Sequence, residues 1–195
     1  MHSTYRVIGA ASALLLAVAL AGCAAGGSAA MARPASLPAA GEVAATDGLT
    51  GDDGYIPDGS SLSLDSELPA VTRLDPALLA ALRDAQAAMR REGAGHDITI
   101  ADGWRSERYQ EHLFAQAVEQ YGSEEEAEKW VKRGSDSAHV RGDAVDISDA
   151  GAMDYLNRFG NAWGLCQTYA NEAWHFELRT EPGGECPAQS ADGRG

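Results

Sequence analysis

The chain has 195 residues, enough for one domain with extensions at its ends. Its formal net charge of -14 makes nucleic acid a poor partner, so we expect no nucleic-acid binding. The three cysteines divide into one near the N-terminus and two near the C-terminus.

Residues 1–22 are predicted to be a targeting segment. Arg6 ends a short positive start, and Val7 to Leu20 is an apolar run of signal-peptide length. The run closes in Leu-Ala-Gly-Cys23, which resembles the bacterial lipoprotein signal, where the cysteine is diacylated and becomes the new N-terminus. The alternative is a membrane-spanning anchor, since Val7 to Ala25 approaches the minimum spanning length. Both alternatives lead the rest of the chain out of the cytoplasm.

Residues 23–67 are predicted to be a flexible, acidic tether. Ala, Gly, Ser, Pro and Asp dominate this stretch, and neither a helix period nor a strand period persists in it. Tyr55 and Ile56 are large enough to pack onto a domain, which leaves open that part of the tether is ordered. The folded domain is expected over residues 68–188, followed by a tail at 189–195.

The first half of that domain is predicted to hold three helices and a short strand. Asp75-Pro76 is a helix start, and Gly93 supplies the stop. The apolar residues between them recur at helical spacing: Leu78, Leu79, Leu82, Ala85 and Met89. A strand over 97–100 follows, and Ser106 caps a second helix to about Tyr121 with Tyr109, Leu113, Phe114 and Ala117 inward. A capping box at 123–126 opens a third helix through Lys132.

The second half alternates strand, helix and strand. Residues 144–147 are predicted as a strand, and residues 150–163 as a helix with Met153, Leu156 and Phe159 on one face. A last strand runs from Trp174 to Leu178. Helices gathered around a few short, non-parallel strands indicate an α+β domain.

Two blocks of the sequence carry metal chemistry. The first, residues 137–146, holds His139 and Asp146, and is expected to lie in a loop that ends in the strand. The second holds His175 with Glu172 three residues before it. Two imidazoles and a carboxylate are a zinc ligand set that leaves a position open for water. Since a further carboxylate near that water can act as general base, the blocks predict a hydrolytic site with one Zn²⁺.

The blocks S-x-H-x-x-G-x-A-x-D and E-x-W-H resemble the zinc D-Ala-D-Ala peptidases, the VanY-type carboxypeptidases and VanX-type dipeptidases. The matching residues are Ser137, His139, Gly142, Ala144, Asp146, Glu172, Trp174 and His175. A third block, residues 103–106 with Gln110, resembles the G-[YW]-R-S-x-x-x-Q of that family. The three blocks stand in the family's order within residues 98–178. The resemblance implies the Hedgehog/D,D-peptidase fold, a small antiparallel sheet flanked by helices.

The resemblance also implies a role for each site residue. His139, Asp146 and His175 would hold the zinc ion, Glu172 would be the general base, and Arg105 would stabilise the oxyanion. Strict strand alternation instead puts Glu177 on the face of His175, so Glu177 remains the alternative base or a supporting residue. Ser137 and Gln110 are candidates for gripping the substrate's terminal carboxylate or peptide groups, and each can equally be a structural hydrogen bonder.

Cys166 and Cys186 flank the second metal block. In an extracellular protein a disulfide is the natural interpretation, and closing a loop of about 20 residues stabilises by roughly 3 kcal/mol in the chain-entropy model. The rival interpretation is a further zinc ligand set, although no cysteine pair has C-x-x-C spacing.

The expected function is that of a zinc D,D-carboxypeptidase, a monomer held on the membrane by its lipid, which trims peptidoglycan stem peptides ending in D-Ala. An L,D-carboxypeptidase and a D,D-dipeptidase remain open, because the blocks are shared among these enzymes. A catalytically silent, zinc-containing cell-wall binding module is the alternative from another class. The presence of both Glu172 and Arg105 favours the enzymes.

Overall fold

The computed structural model describes residues 48–194, so the targeting segment and Cys23 lie outside the described residues. Their framework is a five-stranded sheet in the order β1-β2-β3-β5-β4, in which every pair of neighbours is antiparallel. The strands are β1 (Leu62–Ser63), β2 (Thr99–Asp102), β3 (Ala144–Ile147), β4 (Leu165–Gln167) and β5 (His175–Leu178). The helices are α1 (Pro69–Thr72), α2 (Pro76–Glu92), α3 (Glu107–Tyr121), α4 (Glu124–Ala127), α5 (Ala138–Arg141) and α6 (Ala150–Phe159). The expected α+β class is confirmed.

Strands β3 and β5 supply both core and polar side chains. All four residues of β3 are buried, and its register pairs Val145 with Phe176 and Asp146 with His175. Because side chains alternate between the two faces of a strand, the Val145–Phe176 pair joins the hydrophobic core while the Asp146–His175 pair faces the other way.

Helix α2 covers the core face of the sheet and matches its prediction. The Asp75 carboxylate accepts hydrogen bonds from the backbone amides of Ala77 and Leu78, with Pro76 in the first helical position. Gly93 ends the helix with a φ of 68°. The buried apolar face carries the spacing that predicted the helix: Leu78, Leu82, Ala85 and Met89.

The third predicted helix is much shorter than expected. The Ser123 hydroxyl caps α4 as predicted, but the helix ends at Ala127 instead of Lys132. Beyond Ala127 the backbone tightens into turns, because the amides of Lys129 and Trp130 donate to the carbonyls of Glu126 and Ala127, three residues back. The carbonyl of Lys129 accepts from the Asn171 side chain at 3.1 Å, and that of Lys132 accepts from Gln110.

Two further details of the prediction are wrong. His139 lies on the one-turn helix α5 and not in a loop. The helix ends at Gly142, which has a φ of 79°. A Cβ at Gly142 would come within 2.4 Å of the Arg73 carbonyl oxygen, so only glycine fits. On α6, Leu156 is buried as predicted and Met153 packs against the core, but Phe159 is 42% exposed, and Ala152 and Tyr155 complete the buried face.

Part of the predicted tether packs on the domain. Strand β1 pairs with β2, the side chains of Leu49, Ile56 and Leu64 are buried, and Tyr55 makes an edge contact with Tyr109. Within the described residues, packed structure is therefore present from residue 49 onward, about 20 residues ahead of the predicted start at residue 68.

The C-terminal segment is fixed to the sheet at two places. A disulfide joins Cys166 on β4 to Cys186, with 5.8 Å between their Cα atoms, which confirms the predicted pairing. Farther on, the Ser190 amide donates to the Thr168 carbonyl at 3.0 Å. Within residues 48–194, no helix has the length and apolar character needed to cross a membrane.

Candidate metal centre

Three buried side chains converge where β3, β5 and α5 meet, and together they are called the metal group: His139, Asp146 and His175. Their nearest nitrogen and oxygen atoms all lie within 4.8 Å of one another. Asp146 Oδ1 is 3.1 Å from His175 Nδ1 and 3.4 Å from His139 Nε2. The pairing of Asp146 with His175 on neighbouring strands, together with the short α5 helix, brings His139 and His175 together although they are 36 positions apart in the sequence.

The outer nitrogen of each imidazole has an acceptor that fixes its proton. His139 Nδ1 donates to the Gly103 carbonyl at 2.8 Å, and His175 Nε2 donates to Glu177 Oε1 at 3.0 Å. The lone pairs of His139 Nε2 and His175 Nδ1 are thereby directed toward Asp146 Oδ1. Three lone pairs that face one another repel unless a proton or a metal ion lies between them, and hydrogen bonds of this kind orient metal-binding histidines. The donor set fits a zinc ion.

The charges of the group agree with cation binding. Burial opposes ionisation of Asp146, but the two imidazoles outweigh it and hold the pKa of Asp146 well below its usual range. Burial likewise lowers the pKa of His175, whereas hydrogen bonds with Asp146 and Glu177 outweigh that effect and raise it to about 9. The negative environment that favours the protonated form of His175 also favours a metal ion, which competes with the proton for the lone pair.

Arg105 holds the second oxygen of Asp146. Strand β2 ends just before it, and its Nη2 donates to Asp146 Oδ2 at 3.1 Å. On its other sides, Nη1 donates to Gln110 Oε1 at 3.1 Å and Nε lies 3.0 Å from Asp102 Oδ1. These three contacts fix the guanidinium and leave Asp146 Oδ1 for the metal group.

The two glutamates of the second block occupy different sides of His175. Glu177 meets the outer nitrogen Nε2 and also accepts from Arg179 at 3.2 Å, so both of its oxygens are engaged. Glu172 is buried, and its Oε2 lies 3.8 Å from Nδ1, the nitrogen that faces the metal group. Burial first, and the charge of Asp146 second, raise the pKa of Glu172 to about 7. Strand alternation thus predicted the Glu177–His175 contact correctly, but that contact is on the outer side of the ring.

The two residues predicted to grip the substrate have structural contacts. Gln110 is 1% exposed, accepts from Arg105 and donates to the Lys132 carbonyl, which favours the alternative of a structural hydrogen bonder. Ser137 is buried beside α5, and its carbonyl accepts from Arg141 at 3.3 Å.

Sequence reasoning missed two neighbours of the site. The ring of Tyr169 is 5.0 Å from that of His175, centroid to centroid, and Asp102 contacts Arg105 and accepts from the Tyr109 hydroxyl. Both positions adjoin recognised blocks, since Tyr169 precedes Glu172 by three residues and Asp102 directly precedes Gly103. That proximity in the sequence is the signal that could have found them.

The sequence over residues 71–181, more than half of the chain, matches the family VanY: D-alanyl-D-alanine carboxypeptidase. The chain belongs to this family. The expected family and enzyme class are therefore confirmed. A comparison with curated proteins found no match.

Several solved structures resemble this VanY-family chain, including two with a TM-score of 0.50. One is a vancomycin-resistance D,D-pentapeptidase VanY from a VanB-type cassette, in complex with Zn(II), at 23% identity and a TM-score of 0.50, covering 60% of this chain and 77% of that one. The other is the LD-carboxypeptidase LdcB, at 20% identity and a TM-score of 0.50, covering 66% of this chain and 70% of that one. Both likenesses confirm the expected D,D-peptidase fold.

Proposed function

We propose that this protein is a zinc-dependent D-alanyl-D-alanine carboxypeptidase that trims peptidoglycan stem peptides. The observation that carries the proposal is the convergence of three lone pairs from His139, Asp146 and His175, with the Glu172 carboxylate beside them. The family match supplies the substrate class, a peptide that ends in D-Ala-D-Ala.

His139, Asp146 and His175 would hold one zinc ion. When bound, zinc supplies a Lewis acid that lowers the pKa of water toward neutrality and polarises a carbonyl group. Gly103 and Glu177 keep the two imidazoles in the required tautomers, and Arg105 keeps the aspartate in its required orientation.

Glu172 is proposed as the general base. It takes the proton of the attacking water and later returns one to the amine of the departing D-Ala. Its position supports this role, because it lies on the metal side of His175 and its raised pKa of about 7 suits proton transfer in both directions. In the described part of the chain, no hydrogen bond holds the Glu172 carboxylate.

Arg105 is proposed to stabilise the oxyanion as well as to orient Asp146. A guanidinium has five N–H groups, and the contacts with Asp146, Gln110 and Asp102 use three of its directions. The remaining N–H groups can donate to the oxygen of the scissile carbonyl as negative charge develops there.

Anchoring through Cys23 would hold the enzyme outside the cytoplasm, where stem peptides are attached to the cell-wall polymer. The Leu-Ala-Gly-Cys sequence and the acidic stretch after it support this arrangement. Cys23→Ser is expected to leave an unprocessed precursor or a protein released from the membrane. Fractionation and acyl labelling check this, and normal labelling of the variant would overturn the lipoprotein proposal.

A product assay tests the function directly. Zinc-loaded protein is incubated with a stem pentapeptide ending in D-Ala-D-Ala, with the corresponding tetrapeptide, and with free D-Ala-D-Ala. A D,D-carboxypeptidase releases single D-Ala from the pentapeptide and leaves a tetrapeptide. Trimming of the tetrapeptide alone would indicate an L,D-enzyme, and cleavage of only the free dipeptide would indicate a dipeptidase. If none of the three is cleaved, the protein is a binding module.

A further inference from the structure

The cations around the metal group differ in whether a carboxylate already neutralises them. Three arginines near the group are paired: Arg105 with Asp102 and Asp146, Arg141 with Asp143, and Arg179 with Glu177. Lys132 is different. Among residues 48–194, no carboxylate lies within ion-pair distance of its ammonium group.

Lys132 is separated from His175 by the ring of Tyr169, and its backbone carbonyl is hydrogen-bonded. Its Nζ is 5.8 Å from the centroid of the Tyr169 ring, and that ring is 5.0 Å from the imidazole of His175. Its carbonyl accepts from Gln110, whose oxygen in turn accepts from Arg105. The main chain at Lys132 is therefore linked through Gln110 to Arg105, which orients Asp146. The Lys132 side chain extends toward the ring of Tyr169, next to His175.

A carboxypeptidase acts on the residue that carries the free carboxylate. When the scissile carbonyl is at the metal group, that carboxylate is one residue away, a span of at most about 3.6 Å. The side chain that binds it has to lie close to the group, and a positive charge free of a competing carboxylate binds it most strongly. Gln110 does not meet this need, because it is 1% exposed and both ends of its amide are bonded.

We propose that Lys132 binds the terminal carboxylate of the substrate, with the Tyr169 ring as the wall that guides its side chain. This inference rests on the proposed carboxypeptidase function. The flexible four-carbon stem of a lysine lets the ammonium move from the ring to the carboxylate as the substrate enters. A site built around such a charged contact discriminates strongly against a substrate that lacks the charge.

The test compares two substrates that differ only at the C-terminus, the stem pentapeptide with a free carboxylate and the same pentapeptide with a terminal amide. Lys132→Met keeps the apolar stem and removes the charge, and Lys132→Arg keeps the charge. Lys129→Met is the matched control, because Lys129 is paired with Glu126 at 2.7 Å. Arg73→Met tests the rival cation, which lies 4.3 Å above the ring of Trp104.

Lys132→Met is expected to lower kcat/KM for the free acid about 10- to 100-fold, mostly through KM, and to change that for the amide less than about 2-fold. Lys132→Arg should recover most of the loss, and Lys129→Met should behave as wild type. Equal losses on acid and amide, or no loss on either, would overturn the proposal. So would a selective loss in Arg73→Met in place of Lys132→Met.

Binding gives a second readout that does not need turnover. In the zinc-loaded Glu172→Gln background, calorimetry is expected to give tighter binding of the acid than of the amide, and Lys132→Met should abolish that preference. A preference that survives in Lys132→Met, or no preference at all, contradicts the assignment. Failure of the proposed function would instead appear as absence of hydrolysis by the wild-type protein, which is a separate measurement.

Discussion

Glu172 and Glu177 lie within reach of the same imidazole, yet they contact opposite nitrogens of His175. The two contacts give the two glutamates different roles. A carboxylate on the outer nitrogen fixes the tautomer and orientation of a ligand, whereas a carboxylate on the metal side can exchange protons with water.

Substituting the two glutamates one at a time should therefore affect different measurements. Glu172→Gln is expected to retain zinc and lose about 100-fold or more in turnover, the scale for removing a general base. Glu177→Gln is expected to lower zinc affinity by about 10- to 100-fold, because a neutral amide oxygen is a weaker acceptor for the outer N–H of His175 than a carboxylate. Zinc titration and steady-state kinetics check both, with Glu181→Gln, an exposed glutamate, as control. Full zinc affinity in Glu177→Gln together with the larger loss of turnover would make Glu177 the base.

Arg105→Lys keeps the positive charge but replaces the planar, forked guanidinium by a single ammonium group. A lysine ammonium cannot contact Asp146, Gln110 and Asp102 at the same time as it faces a substrate oxygen. We expect turnover to fall at least 10-fold and zinc affinity to fall less, because Arg105 reaches the metal group only through Asp146. Kinetics and metal analysis on one preparation separate the effects. Wild-type kinetics in this variant would show that the fork is not needed.

At the scale of elements, the loop that carries Arg105 is held by residues ahead of the predicted domain. The Asp53 carboxylate accepts from the Ser106 hydroxyl at 2.9 Å and from Arg108 at 2.7 Å, and its carbonyl accepts from the Ser106 amide. Next to it, a Cβ at Gly54 would come within 2.0 Å of the Trp104 carbonyl oxygen. The segment thus lies directly against the loop.

The Asp53 contacts should make this attachment depend on pH. The hydrogen bond from Arg108 is the main cause that lowers the pKa of Asp53 from 3.8 to about 2. Because the folded-state pKa is depressed, the stabilisation is complete above pH 3.8 and is lost as the pH falls toward 2. Asp53→Asn should therefore be less stable than wild type at pH 5, and the difference should shrink toward pH 2.5. Thermal unfolding of both proteins across this range checks it, and a difference independent of pH would contradict it.

The elements also divide according to how much their local sequence decides. Helix α2 was predictable because its cap, apolar spacing and terminal glycine all agree. The convergence of His139, Asp146 and His175 was predictable because these residue types form a zinc ligand set and because they match a family pattern. The length of α4 was not, since the segment after Ala127 forms turns whose carbonyls accept from Gln110 and Asn171, and both partners are distant in the sequence. Strand β1 was missed because two residues carry no period, and only pairing with β2 makes them a strand.

On the scale of the whole molecule, the metal group is formed by segments that are held in place by different interactions, namely hydrogen bonds, strand pairing and a disulfide. Residues 48–64 attach to β2 and to the Arg105 loop, while the disulfide secures the segment that carries Glu172 and His175. Zinc bound to the folded state alone adds its binding free energy to that of folding. Zinc is therefore expected to raise the melting temperature, and removing an attachment should be most visible in the zinc-free protein.

The disulfide offers the clearest case, because it closes a segment of 20 residues around both Glu172 and His175. Replacing Cys166 and Cys186 together by serine is expected to cost roughly 3 kcal/mol in the chain-entropy model, with a fall in melting temperature of several degrees. The remaining contacts of β5 with β3 and β4 should keep the ligands assembled, so the zinc-loaded variant should stay active well below its melting point. Calorimetry with and without zinc, and kinetics at low temperature, measure the two effects. Loss of zinc binding in a variant that remains folded would mean that the disulfide positions the ligands directly, and does not act only through stability.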